Sequence, residues 1–215
     1  MRKASLLLAL VVLASVPSSA TGRGHLRVVP AVFDPGGTHG IISRWVPFTG
    51  PGNADPAIIM AKILPTSTDA AAIATVEGVR GLTLDELGFD VFGGGHCGAG
   101  APRFNVTTVD GYVYFFGCSS GVHGPAPDKP ATFARVRFGD SDAAPQFPTN
   151  PPFHFGEARI ASIAIVFDEG IDEGSGFTAI DDIDVNGQIV ERPTGPDDEL
   201  ARETTERPIA GTARR

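Results

Sequence analysis

Turn-forming residues recur along the whole chain and divide it into short segments. They stand between runs rich in Val, Ile, Phe, Thr and Tyr, at 34–37 (DPGG), 50–53 (GPGN), 93–95 (GGG), 110–111 (DG), 174–176 (GSG) and 186–187 (NG). With 27 Gly and 18 Pro among 215 residues, long helices are disfavoured. Short strands separated by regular turn signals are typical of a β-sandwich or a barrel. The sequence therefore predicts an all-β domain, an antiparallel β-sandwich.

The first twenty residues have the pattern of a cleavable export signal. Arg2 and Lys3 precede an apolar run over 6–16, and Pro17 ends that run. Small residues at Ser18 and Ala20 suit cleavage after residue 20. An apolar run of this length is too short to span a bilayer, which takes about twenty residues. We predict a secreted, extracytoplasmic protein with no membrane span after signal cleavage.

The remaining chain divides into a sandwich domain over 21–190 and a tail over 191–215. The tail mixes Pro, Gly, Thr, acids and Arg, and holds too few apolar residues to offset the entropy of ordering it. We predict that it is disordered. The formal net charge of −8 argues against a nucleic-acid partner, because phosphate binding requires clustered Lys and Arg.

The segment 103–118 (RFNVTTVDGYVYFFGC) is the clearest predicted hairpin. Asp110-Gly111 suits a two-residue turn, because Gly adopts positive φ freely and Asp tolerates it. With that turn, Thr107 lies opposite Tyr114 and Asn105 opposite Phe116. The other face, which carries Phe104 and Val106, is then the predicted core face.

This register makes a strip of aromatic and polar side chains on one face of the hairpin. Lectin-like sandwiches stack sugar rings on such strips, because aromatic rings offer an apolar face and tyrosines add a hydrogen-bonding tip. Alternatively, the same rings pack under a loop or against the second sheet. As candidate ligand-binding residues we take Tyr112, Tyr114, Phe116 and Asn105.

Cys97 and Cys118 are the two cysteines of the chain. An oxidising destination favours a disulfide between them, which would join the Gly-rich loop 93–100 to the end of the hairpin. His96 and His123 lie close enough in sequence to complete a zinc shell with the two thiolates. However, the spacings do not match the usual Cys-x₂₋₄-Cys pattern, and we favour the disulfide.

Two acidic segments are candidate calcium sites. The turn 168–174 (DEGIDEG) holds several carboxylates but lacks the spacing of an EF-hand loop, and a solvated turn is the simpler interpretation. In the last long strand, alternation places Asp181 on the same face as Ile183. If that face is the core, Asp181 needs a partner, either an Arg or a structural Ca²⁺. We therefore name Asp181 and Asp182 as possible calcium ligands, with no other cofactor required.

Three segments resemble known secreted proteins. Residues 97–106 (CGAGAPRFNV) and the upstream 81–87 (GLTLDEL) resemble a Cys-Gly-Gly-Gly-Ser-Pro-Arg-Phe segment, and the strand entry before it, in uncharacterised secreted β-sandwich proteins of bacteria and archaea. The ending 180–187 (IDDIDVNG) is similar to theirs and to that of carbohydrate-binding jelly rolls. The resemblance implies a jelly-roll sandwich whose last strand returns to the sheet. It also implies a structural calcium near that ending, where Asp182 replaces the commoner Asn.

No catalytic motif stands out in the sequence. His-Glu-x-x-His and phosphate-binding Gly loops do not occur, nor does a strand-borne Glu-x-Asp-x-Glu arrangement. The leading hypothesis is a non-catalytic extracellular binding module for a carbohydrate or another cell-envelope component. The alternatives are a structural or adhesive surface protein without a small ligand and, third, a glycan-acting hydrolase.

Overall fold

The computed structural model describes residues 25–47, 56–127, 129–139, 150–168 and 176–190. The predicted export signal, the tail and most of the acidic turn at 168–174 lie outside these ranges. Helical structure in the described ranges is limited to one 3₁₀ turn, Cys118–Ser120. None of the described residues forms a helix long and apolar enough to cross a membrane.

In the described ranges, twelve strands form two sheets, and every paired neighbour is antiparallel. Sheet A has the order β1-β4-β10-β6-β7. Its strands are β1 (Arg27–Phe33), β4 (Ala71–Glu77), β6 (Arg103–Thr108), β7 (Val113–Gly117) and β10 (Ile160–Phe167).

Sheet B has the order β2-β3-β11-β5-β9-β8, with β12 paired to β11. Its strands are β2 (Ile41–Pro47), β3 (Pro56–Lys62), β5 (Glu86–Phe92), β8 (Val122–Pro125), β9 (Phe133–Gly139), β11 (Gly176–Val185) and β12 (Gln188–Ile189). The protein is thus an all-β antiparallel sandwich of jelly-roll type, and the predicted fold class is confirmed.

The core lies between the two sheets and is rich in phenylalanine. Alternate residues of each strand face inward, as the two-residue period of a pleated strand requires. Phe104 of sheet A contacts Phe89 and Phe138 of sheet B, with ring centroids 5.3 and 6.0 Å apart. Phe116 contacts Phe138 at 5.6 Å, so a chain of tilted and edge-on rings joins the sheets.

The hairpin β6–β7 has a different register from the predicted one. Val106 pairs with Tyr114, and the amide of Thr108 donates to the carbonyl of Tyr112, so the loop has three residues, with Gly111 at φ 91°. A shift of one residue moves every side chain of one strand to the opposite face. The predicted register is wrong, because Tyr114 and Phe116 share the core face with Phe104 and Val106.

The predicted disulfide is confirmed between Cys97 and Cys118, whose Cα atoms are 5.2 Å apart. It fixes the loop after β5 to the end of β7. The zinc interpretation is wrong, because both sulfur atoms are used in the S–S bond and neither is a thiolate. Of the two histidines in that interpretation, His123 places a ring nitrogen 2.9 Å from the carbonyl oxygen of Cys118.

We expect loss of this disulfide to lower the free energy of unfolding by about 3 kcal/mol, because the cross-link restricts the unfolded chain. The double variant Cys97→Ala/Cys118→Ala tests this by urea denaturation beside oxidised and reduced wild type. The urea midpoint of reduced wild type should equal that of the double variant, and both should be lower than that of oxidised wild type. Equal midpoints for oxidised and reduced wild type would contradict the expectation.

Candidate functional site

A cavity of about 350 Å³ opens at one end of the sandwich, beside the turn of the β6–β7 hairpin. One wall is formed by the hairpin and the other by the segment 151–159, which leads into β10. We call this cavity the end pocket. Its residues are Thr108, Val109, Asp110, Tyr114, Pro151, Pro152, Phe153, His154, Glu157, Ala158 and Arg159.

Backbone hydrogen bonds hold the two walls of the end pocket together. The amide of Val109 donates to the carbonyl of Arg159 at 2.9 Å, which ties the hairpin turn to the opposite segment. On its other side, this segment bonds to the loop before β5, through the amide of Leu84 and the carbonyl of Ala158 at 3.0 Å. The pocket is therefore built on fixed backbone, which lowers the ordering cost of binding a ligand.

Two aromatic rings form an apolar corner inside the pocket. The rings of Tyr114 and Phe153 meet at an interplanar angle of 66°, with centroids 4.8 Å apart. The hydroxyl of Tyr114 donates to the carbonyl of Pro151 at 3.3 Å. Burial raises the pKa of Tyr114, and the nearby Asp110 adds to the shift, so the hydroxyl keeps its proton and this hydrogen bond at neutral pH.

Charged and polar side chains surround the mouth of the pocket. Asp110 lies on the hairpin turn, and His154, Glu157 and Arg159 lie on the opposite segment, all exposed to solvent. Arg159 also reaches the carbonyl of Gly81 at 3.3 Å. The rim thus offers carboxylate acceptors and guanidinium donors beside an apolar corner, which is the combination that orients a small polar ligand.

The four predicted ligand-binding residues do not form one surface. Phe116 is fully buried in the core, and Tyr114 is buried but lines the end pocket. Asn105 faces outward from β6 and accepts a hydrogen bond from Nε of Arg103 at 3.0 Å. Tyr112, 44% exposed, stands at the hairpin turn outside the pocket lining. The observed register therefore separates the residues of the predicted strip onto different surfaces. Ligand contact at Tyr112 and Asn105 stays a prediction.

Sequence reasoning missed the second wall of the pocket. Phe153, His154, Glu157 and Arg159 are far from the hairpin in sequence and belong to a stretch without a recognisable motif. The adjacent Pro151 and Pro152 indicate a loop but not what it covers. Only the packing of this loop on the hairpin brings these side chains to Tyr114.

A second group of charges lies on the outer face of sheet B. A β-bulge in β11 shifts the register between Asp181 and Asp184, and Asp182 has φ 42°. The bulge keeps Ile180 and Ile183 in the core and turns Asp181 outward, so the prediction that Asp181 shares a face with Ile183 is wrong. Asp181 is still buried, and Lys129 supplies its partner, with Nζ 2.6 Å from Oδ2.

Lys129 also lies 3.5 Å from the carboxylate of Asp182. The Lys129 ammonium therefore already neutralises the buried charge of Asp181, for which the sequence pattern required an Arg or a Ca²⁺. Calcium ligation by Asp181 and Asp182 stays a prediction.

The neighbouring acids gather around Arg135 of β9. Nε of Arg135 lies 2.5 Å from Oδ1 of Asp90, and Nη1 lies 3.7 Å from Oδ2 of Asp184. Within the described ranges, Asp90 Oδ2 and Asp184 Oδ1 are buried without a hydrogen-bond partner. Burial raises the pKa of Asp90 to about 6, although Arg135 opposes this, and burial also raises the pKa of Asp184.

We expect the protein to lose stability as the pH rises from 3.8 to about 6, because Asp90 binds a proton more tightly in the folded protein than in the unfolded chain. The stabilisation from the protonated Asp90 is fully present below pH 3.8, the usual pKa of the group, and is lost as the pH rises through about 6. It amounts to at most about 3 kcal/mol of unfolding free energy. Urea unfolding across this range should show a flatter profile for Asp90→Asn than for wild type. The exposed Asp69→Asn variant should keep the wild-type profile, and an unchanged slope in Asp90→Asn would contradict the assignment.

No protein-family model matches the chain, and no curated protein matches it. Among solved structures, it is similar to the family 11 carbohydrate-binding module of a cellulosomal cellulase of Clostridium thermocellum, with 11% identity, 81% of this chain and 93% of that chain covered, and a TM-score of 0.39. It is also similar to the Clostridium thermocellum family 11 module in complex with a β-1,3-1,4-mixed-linked tetrasaccharide. The identity is 12%, the match covers 80% of this chain and 94% of that chain, and the TM-score is 0.41. A third similar structure is a β-1,2-glucanase from Parabacteroides distasonis, with 11% identity and a TM-score of 0.39. The match covers 75% of this chain but 23% of the glucanase chain. These similarities assign neither a family nor a ligand to this chain.

Proposed function

We propose that the protein is a secreted, non-catalytic binding module and that its ligand, an extracellular glycan or a glycan of a cell envelope, binds in the end pocket. The observation that carries the proposal is the pocket itself, which joins the aromatic corner of Tyr114 and Phe153 to a charged rim. Its volume of about 350 Å³ falls in the range of roughly 300 to 1,000 Å³ of small-molecule sites.

The chemistry of the pocket suits a sugar ring. A pyranose has an apolar C–H face and a periphery of hydroxyl groups, so it packs against an aromatic ring and hydrogen-bonds sideways. Phe153 and Tyr114 supply the first contact. Asp110, Glu157 and Arg159 supply acceptors and donors for the hydroxyl groups.

The exposure of the carboxylates favours binding over hydrolysis. A glycosidase uses two opposed carboxyl groups, of which the general acid is shielded from water so that it holds its proton. Asp110 and Glu157, the carboxylates of the end pocket, are both exposed. The pocket therefore has the groups to hold a sugar but not the environment that makes one of them an acid catalyst.

A binding panel tests the proposal with the chain from residue 21 onward. The probes are cellulose, chitin, mixed-linkage β-glucan and cell-envelope preparations, each with calcium and with chelator. We expect saturable binding to at least one of them, weakened about tenfold by Glu157→Gln, the equivalent of about 1.4 kcal/mol. The matched control is Glu77→Gln on β4, whose carboxylate pairs with Arg27 on sheet A.

Saturable binding that needs calcium would support the predicted calcium role of Asp181 and Asp182. A folded protein that binds none of the probes would overturn the proposal and favour a structural or adhesive surface protein.

A further inference from the structure

The end pocket is small and lies at the end of the sandwich rather than along a sheet face. Its volume of about 350 Å³ is close to the lower limit of roughly 300 Å³ for ligand sites. Both walls come from short segments, the hairpin turn and residues 151–159. Such a volume holds roughly one or two sugar rings and not a longer run of them.

The aromatic residues of the pocket form one corner and do not form a row. A site that binds the middle of a polymer stacks successive units on ring faces spaced along the chain, as proteins do with single-stranded nucleic acids. Here Tyr114 and Phe153 touch each other at 66°. Phe153 also contacts Phe155 at 4.9 Å and Phe116 at 5.2 Å. Phe155 is half-buried, Phe116 is fully buried, and neither of them lines the pocket, so they do not extend the corner into a row of ring faces along its walls.

The rim concentrates polar groups around this single corner. Asp110, His154, Glu157 and Arg159 all border the same small volume. The terminal unit of a chain carries a free hydroxyl where an internal unit has its glycosidic link. A rim group that bonds to that hydroxyl discriminates strongly, because it is left unpaired when an internal unit takes its place.

From the corner of Tyr114 and Phe153 and the crowded rim we propose that the end pocket recognises the terminal unit of a glycan chain and excludes internal segments. This inference rests on the proposed glycan-binding function. It predicts that binding depends on the number of chain ends and not on the mass or length of the polymer.

The test compares each polysaccharide of the panel before and after limited cleavage by an endo-acting enzyme, which raises the number of chain ends at constant mass. We expect the amount of protein bound per gram to rise in proportion to the measured ends. For the corresponding soluble oligosaccharides, Kd should agree within about threefold from the disaccharide to the hexasaccharide. Glu157→Gln should weaken binding to cleaved and intact samples alike.

A capacity that cleavage leaves unchanged, or a Kd that keeps falling with each added sugar, would overturn the inference while leaving the proposed function in place. Absence of saturable binding to every sample, intact or cleaved, would remove the proposed function and this inference with it.

Discussion

Replacement of Arg135 by Met is expected to lower the free energy of unfolding at neutral pH by about 3 to 5 kcal/mol, because removing one partner of a buried ion pair leaves the other charge buried without compensation. The Arg135 side chain is 12% exposed and lies 2.5 Å from Asp90, which is fully buried. Asp184 and Asp182 lie within 4.0 Å of the same guanidinium. Without it, Asp90 loses its ion-pair partner, whereas Asp182 keeps Lys129 and Asp184 keeps only the more distant charge of Arg137. Equilibrium denaturation in urea measures the loss.

Two variants separate this effect from a general loss of charge. Arg137→Met removes the next outward-facing arginine of β9, which is 55% exposed and pairs with Glu86, and should cost less than about 1 kcal/mol. Adding Asp90→Asn to Arg135→Met should recover part of the loss, because the uncompensated buried charge is then absent. The account of the cluster is wrong if Arg135→Met changes stability no more than Arg137→Met does.

Replacement of Phe153 by Ala is expected to weaken glycan binding by at least about 30-fold, or about 2 kcal/mol, because the variant removes one of the two rings of the apolar corner. The ring also contacts Phe116 and Phe155, so the variant loses some stability. Phe153→Leu keeps most of the buried volume and loses the flat ring face. It should therefore remain stable and still bind weakly, as titration calorimetry on the best ligand of the panel would show.

Phe33→Ala at the end of β1 is the matched control, because Phe33 is an exposed aromatic outside the pocket lining. It should bind as wild type does. Wild-type affinity in Phe153→Leu would show that the ring face makes no contact with the ligand.

The hairpin β6–β7 shows how far local sequence reasoning reaches. The two strands, their antiparallel pairing and the turn around Asp110-Gly111 are all predicted from residue types. The choice between a two-residue and a three-residue loop is not, since Asp-Gly suits both. That single residue decides which face each side chain takes, and it moves Tyr114 and Phe116 from a predicted surface into the core.

The bulge at Asp182 has the same consequence in β11. Strict alternation places Asp181 inward, and one extra residue in the strand turns it outward. Its partner Lys129 is more than fifty positions away and comes from a segment before β9. Similarly, the wall of the end pocket around Phe153 meets the hairpin only through tertiary packing. Turn chemistry and cysteine count predict the fold and the disulfide, whereas side-chain partners depend on contacts distant in sequence.

The most direct test of a glycan site at the end pocket is the position of ligand-induced chemical-shift changes. Isotope-labelled protein would be titrated with the best-binding oligosaccharide while backbone amide shifts are recorded. We expect the changes to centre on residues 108–114 and 153–159, the two walls of the pocket. Changes centred instead on the outer face of sheet B, around Asp90 and Arg135, would contradict the assignment of the pocket, as would saturable binding that leaves both walls unshifted.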